Sequence, residues 1–155
     1  MSETKISQKL YRKACDLLSR REHSQAELRN KLAERIPEAI PDEIEDMLVQ
    51  LEALGLQSDK RFTESYVRDR RRRGYGPRRI SQELGTKGIP PQMFAPFVEA
   101  RSSEYGEEAQ RLVNRKYPVP IDDFDQRMKQ KKRATDFLIR RGFDFNTVKA
   151  VTEGY

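Results

Sequence analysis

Twelve basic side chains in two clusters are the groups in this sequence best placed to do chemistry. The first cluster holds Arg68, Arg70, Arg71, Arg72, Arg73, Arg78 and Arg79, with Asp69 the single acid between Arg68 and Arg79. The second holds Arg127, Lys129, Lys131, Lys132 and Arg133, in a stretch that runs on to Arg141 and contains one acid, Asp136. Seven bases against one acid leave each stretch at +6, as large as the +6 of the whole chain. Guanidinium and ammonium groups in such density suit phosphate or carboxylate partners. A helix C-terminus also attracts cations, but one or two arginines satisfy it. Four in a row, followed by two more, exceed that need. Successive helical residues turn 100°, so Arg70 to Arg73 sweep about 300° and cannot all face one partner. Arg70 and Arg73 continue the stripe of Tyr66, whereas Arg71 and Arg72 point away from it. The second cluster can be read as a solvated helix face. Together the two could form one stripe, the footprint of a nucleic-acid backbone.

Other candidates carry a plainer reading. Tyr75, between Gly74 and Gly76, could be a stacking platform for an unpaired base. Its place just before a helix cap also fits a hydrophobic staple against Ile80, and His23 stands the same way to Leu28. Cys15 falls at helical spacing from Tyr11 and Leu18 and reads as a buried small hydrophobe. Asp122, Asp123 and Asp125 resemble the start of a calcium loop but lack the glycine and distal glutamate. With one histidine and one cysteine, the sequence offers no His-rich metal site and no convincing nucleophile–base pair. No enzyme, metal or cofactor is expected, and only carboxylate chemistry stays open.

The elements that must position these groups read as helices throughout. Ser24-Gln25-Ala26-Glu27 is a capping box, Pro41 suits a first turn, and Pro77 opens another helix. Gly55-Leu56, Gly88-Ile89 and Gly142-Phe143 are helix stops. Expected helices span 5–20, 24–35, 41–54, 59–73, 77–87, 90–101, 104–116, 123–141 and 144–153. The pairs Leu28/Leu32, Ile80/Leu84 and Ala134/Leu138 recur 52 and then 54 residues apart. This period predicts an all-α fold of three tandem three-helix repeats, at 5–57, 58–102 and 103–155, stacked into one continuous, elongated array. An insertion at Tyr117-Pro118-Val119-Pro120 lengthens the first connection of the third repeat.

Of the 155 residues, 34 are Leu, Ile, Val or Phe, enough for a thin core. No intrachain disulfide is possible with one cysteine. Met1 to Lys13 has no apolar leader core, and no run is long enough to span a membrane. A soluble, cytoplasmic protein is expected. The stretch Glu38 to Leu54 has six acids and no base, several of them in the first turns of a helix, where its dipole favours them.

The chain resembles the bacterial RecX regulatory proteins, negative modulators of the RecA recombinase. The resemblance rests first on Ala14, Leu17-Leu18-Ser19, Arg21, Ser24, Glu27-Leu28 and Lys31-Leu32, then on Leu51, Leu54-Gly55, Asp59 and Arg61-Phe62 across the end of the first repeat and the start of the second. In the second it rests on Tyr66-Val67, Arg70, Gly76-Pro77, Ile80, Glu83-Leu84 and Lys87-Gly88-Ile89. The third matches mainly through Phe137-Leu138, Arg141-Gly142-Phe143 and Val148. The resemblance implies a monomeric, curved array that binds the RecA–DNA filament and weakly binds single- or double-stranded DNA. It implies inhibition of filament assembly or persistence, ATPase, strand exchange and co-protease activities, with a role in DNA repair, recombination and the SOS response. It supplies no catalytic residues. The residues alone leave two other readings open: a helix-turn-helix-like DNA-binding transcriptional regulator, and an adaptor that binds only protein.

Overall fold

The computed structural model describes residues 3–119 and 121–155. Met1, Ser2 and Pro120, the last residue of the predicted insertion, lie outside them. Nine α-helices and no strand occur among the described residues: α1 (Glu3–Arg20), α2 (Gln25–Arg35), α3 (Pro41–Ala53), α4 (Asp59–Arg72), α5 (Pro77–Thr86), α6 (Pro91–Glu99), α7 (Glu104–Lys116), α8 (Phe124–Arg141) and α9 (Phe145–Thr152). Their ends fall within two residues of the bounds expected from caps and periodicity. The reasons are local. Ser24 Oγ accepts the Glu27 N–H at 3.1 Å while the Glu27 carboxylate accepts the Ser24 N–H at 3.2 Å, closing the capping box. Asp123 caps α8 by accepting the Gln126 N–H at 2.9 Å. At the other end of α8, Gly142 takes φ +91° and the Phe143 N–H returns to the Leu138 carbonyl at 3.1 Å.

The three recurring pairs are the buried heart of the repeats. Leu28, Leu32, Ile80, Leu84, Ala134 and Leu138 are each 0% exposed. The chain forms two compact units. The first contains Met1–Ser65 and Leu84–Met93, the second Tyr66–Glu83 and Phe94–Tyr155. In the first, α1, α2 and α3 pack on one another around Leu10, Leu28, Leu48 and Leu51. In the second, α9 packs on both α7 and α8 around Val113, Phe137, Leu138 and Phe143. The middle triplet buries Phe62, Val67, Ile80, Leu84, Ile89 and Val98, and its residues are divided between the units. Cys15, expected inside, is only half-buried, on the same side of α1 as the exposed Tyr11.

His23, placed by its spacing at a staple position, is 2% exposed and bonded at both ring nitrogens. Nδ1 lies 3.0 Å from the Arg21 carbonyl and Nε2 lies 3.1 Å from Lys31 Nζ. Only one tautomer serves both partners: Nδ1–H donates and Nε2 accepts from the ammonium. Burial, with the nearby Arg21 and Lys31 cations, holds the imidazole below its ordinary value.

Two outcomes follow from this core. Leu84→Ala lowers unfolding free energy by about 2–5 kcal/mol in urea titrations, whereas Leu54→Ala, at a position 57% exposed, changes it by about 0.5 or less. Stability also falls as pH drops below about 6.5, because the unfolded imidazole takes up a proton that the folded one resists. That loss flattens below the lowered folded value, and His23→Gln removes this part of the pH dependence in thermal unfolding.

Candidate nucleic-acid interface

All twelve basic residues singled out above belong to the second compact unit. The corners after α4 and α8 are clasped together. The Gly76 N–H donates to the Arg141 carbonyl at 2.7 Å and the Arg78 N–H to the Gly142 carbonyl at 2.9 Å. Arg79 Nη1 reaches the Arg140 carbonyl at 3.2 Å, and Arg141 Nη1 reaches the Arg73 carbonyl at 2.9 Å. Unpaired N–H groups that open α5 thus meet unpaired carbonyls that close α8. The approach leaves no room for a side chain at either glycine. A Cβ on Gly76 would lie 2.5 Å from the Phe143 nitrogen, and one on Gly142 would lie 2.3 Å from the Arg79 Cβ. The clasp joins the corner that carries the first cluster to the C-terminal end of α8, about two turns beyond Arg133, the last residue of the second cluster.

Within the clusters the side chains do two different jobs. Arg70 pairs with Glu83 at 2.8 Å and lies 3.8 Å over the Tyr75 ring. Tyr66 Oη donates to the same carboxylate at 2.8 Å, and Arg79 Nε stands 3.6 Å from it. Arg79 and Arg141 also lie over Tyr75, at 4.6 and 4.7 Å. Three cations therefore crowd the ring that was a candidate base-stacking platform.

Arg71 is held more firmly still, and its side chain is only 12% exposed. It pairs with Glu108 of α7 at 2.9 Å and donates to the carbonyls of Ala100 and Arg101 at 2.6 and 3.1 Å, just past the end of α6. Its guanidinium stacks 3.8 Å from the Tyr105 ring. Arg101 is the one non-glycine with positive φ among the described residues, at +54°. The Arg71 fork pins the carbonyl of that left-handed turn. Burial pushes the Tyr105 phenol up to about 12, so it stays a donor, to the Val98 carbonyl at 2.8 Å. Arg71 does point away from the Tyr66 stripe, as its phase requires, but toward α7 rather than solvent.

The remaining cations are open. Arg68, Arg72, Arg73 and Arg78, with Lys129, Lys132 and Arg133 on α8, are exposed and have no ion pair among the described residues. Lys131 and Arg127 are half-buried, and Arg127 lies 5.8 Å from the Phe124 ring. Sequence reading missed both acceptors. Glu83, four residues after Arg79, was within reach of helical spacing; Glu108, 37 positions from Arg71, carried no local signal. It missed a third feature as well, a groove of about 530 Å³ beside the clasp, bordered by Arg78, Arg140, Ile139 and Phe145.

Capped triplets of helices with a cationic clasp, and no metal-binding cluster among the described residues, define an all-α helical-repeat protein that presents side chains on its surface. A family model for the first three-helix domain of RecX matches residues 11–48, and one for the second matches residues 58–93. The regulatory protein RecX of Xanthomonas oryzae pv. oryzae (strain MAFF 311018) is 38% identical over 142 residues, covering 90% of this chain and 84% of that protein. Its counterpart in Stenotrophomonas maltophilia (strain R551-3) is 38% identical over 141 residues, covering 90% and 83%. The crystal structure of RecX from Lactobacillus salivarius superposes with a TM-score of 0.79 at 22% identity, covering 97% of each chain. The chain belongs to the RecX family of regulatory proteins, and its fold is the helical-repeat array expected from its period. No described helix is long and apolar enough to cross a membrane.

The two kinds of arginine are separable by mutation. Arg71→Met strands the Glu108 carboxylate and costs about 3–5 kcal/mol of unfolding free energy. Arg72→Ala, one residue on, changes it by about 0.5 kcal/mol or less. Chemical denaturation of the two variants measures the contrast.

Proposed function

We propose that this protein is a negative, non-catalytic regulator of the RecA recombinase that engages the RecA–DNA filament and limits its assembly or persistence. Membership of the RecX family supports the target. The observation that carries the reading is the clasp: it sets the open ends of two cationic helices side by side, a surface suited to a polyanion. Arg68, Arg72, Arg73, Arg78, Lys129, Lys132 and Arg133 are the contacts, with Lys131 at their edge. Arg70, Arg71 and Arg79, each paired with a carboxylate, hold the surface in place. A filament repeats its charges along its length, so individually weak contacts add. Filament ATPase, strand exchange and co-protease activity then fall together because all three need the assembled polymer. The protein acts as a monomer, in the cytoplasm, in recombination and repair.

Substoichiometric protein lowers the DNA-dependent ATPase of RecA in a coupled assay, and an unchanged rate at equimolar protein rejects the proposal. Replacing Arg72, Arg73, Lys132 and Arg133 together by Ala weakens DNA or filament binding. It flattens the slope of log affinity against log salt by about 3, at about 0.7–0.9 per lost phosphate contact, while the far-ultraviolet circular dichroism is retained.

A further inference from the structure

The groove beside the clasp combines features that neither cluster has alone. Its lining includes Ile139 and Phe145, 54% and 70% exposed, although both are large apolar side chains in a unit that buries Phe143 to 2%. Arg78, Arg79, Arg140 and Gln82 line it as well. Its volume, about 530 Å³, is that of a small-ligand site. The cations do not stop at the rim. On α8, Lys129, Lys132, Arg133, Ile139 and Arg140 fall within about 120° of one another by helical phase, opposite the buried Ala134, Phe137 and Leu138. That face runs about 16 Å, with Asp136 its one interior acid.

We infer that this groove is an unpaired-base subsite for single-stranded DNA: a base stacks on Phe145 against Ile139, flanking phosphates bind Arg78 and Arg140, and the strand continues along Lys132 and Lys129. An aromatic face beside a cationic track is the combination that holds single strands, and a duplex, whose base faces are covered, cannot use the ring. An acidic peptide would match the groove's arginines but not a file of cations continuing a further three turns of helix. The platform is Phe145 and not Tyr75, whose ring is crowded by Arg70, Arg79 and Arg141. The inference rests on the DNA-binding half of the function proposed above and adds strand preference to it.

Fluorescence anisotropy of the full chain with labelled oligothymidylate, and with a duplex of equal length, tests it without RecA present. Phe145→Ala weakens oligothymidylate binding about tenfold and leaves duplex binding within about twofold of wild type. Phe145→Trp restores single-strand affinity, while Phe145→Leu does not. Position 145 is largely exposed, and circular dichroism of each variant verifies folding. Unchanged oligothymidylate affinity in Phe145→Ala, or full affinity in Phe145→Leu, overturns the stacking subsite. If Phe145→Ala binds oligothymidylate normally but loses inhibition of the RecA ATPase, the groove holds protein and the subsite is likewise overturned. Wild type that fails to inhibit RecA, with the tenfold effect of Phe145→Ala intact, overturns the recombinase reading alone and supports the subsite.

Discussion

A helix leaves carbonyls without partners at its C-terminus and N–H groups without partners at its N-terminus, and in this protein α8 and α5 satisfy each other. Carbonyls of Arg140, Arg141 and Gly142 accept from Arg79, Gly76 and Arg78. The opposed helix dipoles favour the contact. Two of the bonds, from the Gly76 and Arg78 N–H groups, run between backbones, and the guanidiniums of Arg79 and Arg141 add one bond each to a carbonyl across the corner. Everything distinctive about the second unit is arranged around this clasp: the stacked Tyr75, the groove beside it and the two cationic helix ends.

Such a site solves an electrostatic problem. Many like charges gathered at one place repel, and the protein offsets part of that by neutralising some of them internally. Glu83 takes Arg70 and Arg79, and Glu108 takes Arg71. These pairs are half-buried and multiply bonded, which distinguishes them from loose surface pairs such as Arg20–Asp16, whose arginine side chain is 69% exposed. What is left in water is a smaller set of uncommitted cations on a rigid base, able to exchange hydration and counterions for an anionic polymer.

The fold was legible because its determinants are local. A capping box at Ser24, prolines at first turns and glycine stops after Leu54, Lys87 and Arg141 delimit helices with little help from tertiary contacts. The 52- and 54-residue recurrence then named six positions, all wholly buried. The site was legible only in part. Composition announced the two clusters, and helical phase separated Arg71 from the Tyr66 stripe. What stood on the far side of α4 was another matter, because a contact between Arg71 and Glu108 depends on where α7 lies, and no local pattern encodes that. The clasp is similar: Gly76 and Gly142 look like ordinary turn glycines until their mutual approach is seen.

The division of the middle triplet between the two compact units has a consequence for how such a gene can change. Open-ended repeat families gain and lose whole modules by duplication or in-frame excision, since each module keeps most of its contacts to itself and its neighbours are interchangeable. Here Asp59–Ser65 serves one unit and Tyr66–Glu83 the other. Excising the stretch Asp59–Glu83 would take residues from both compact units at once, so the loss could not leave either of them whole.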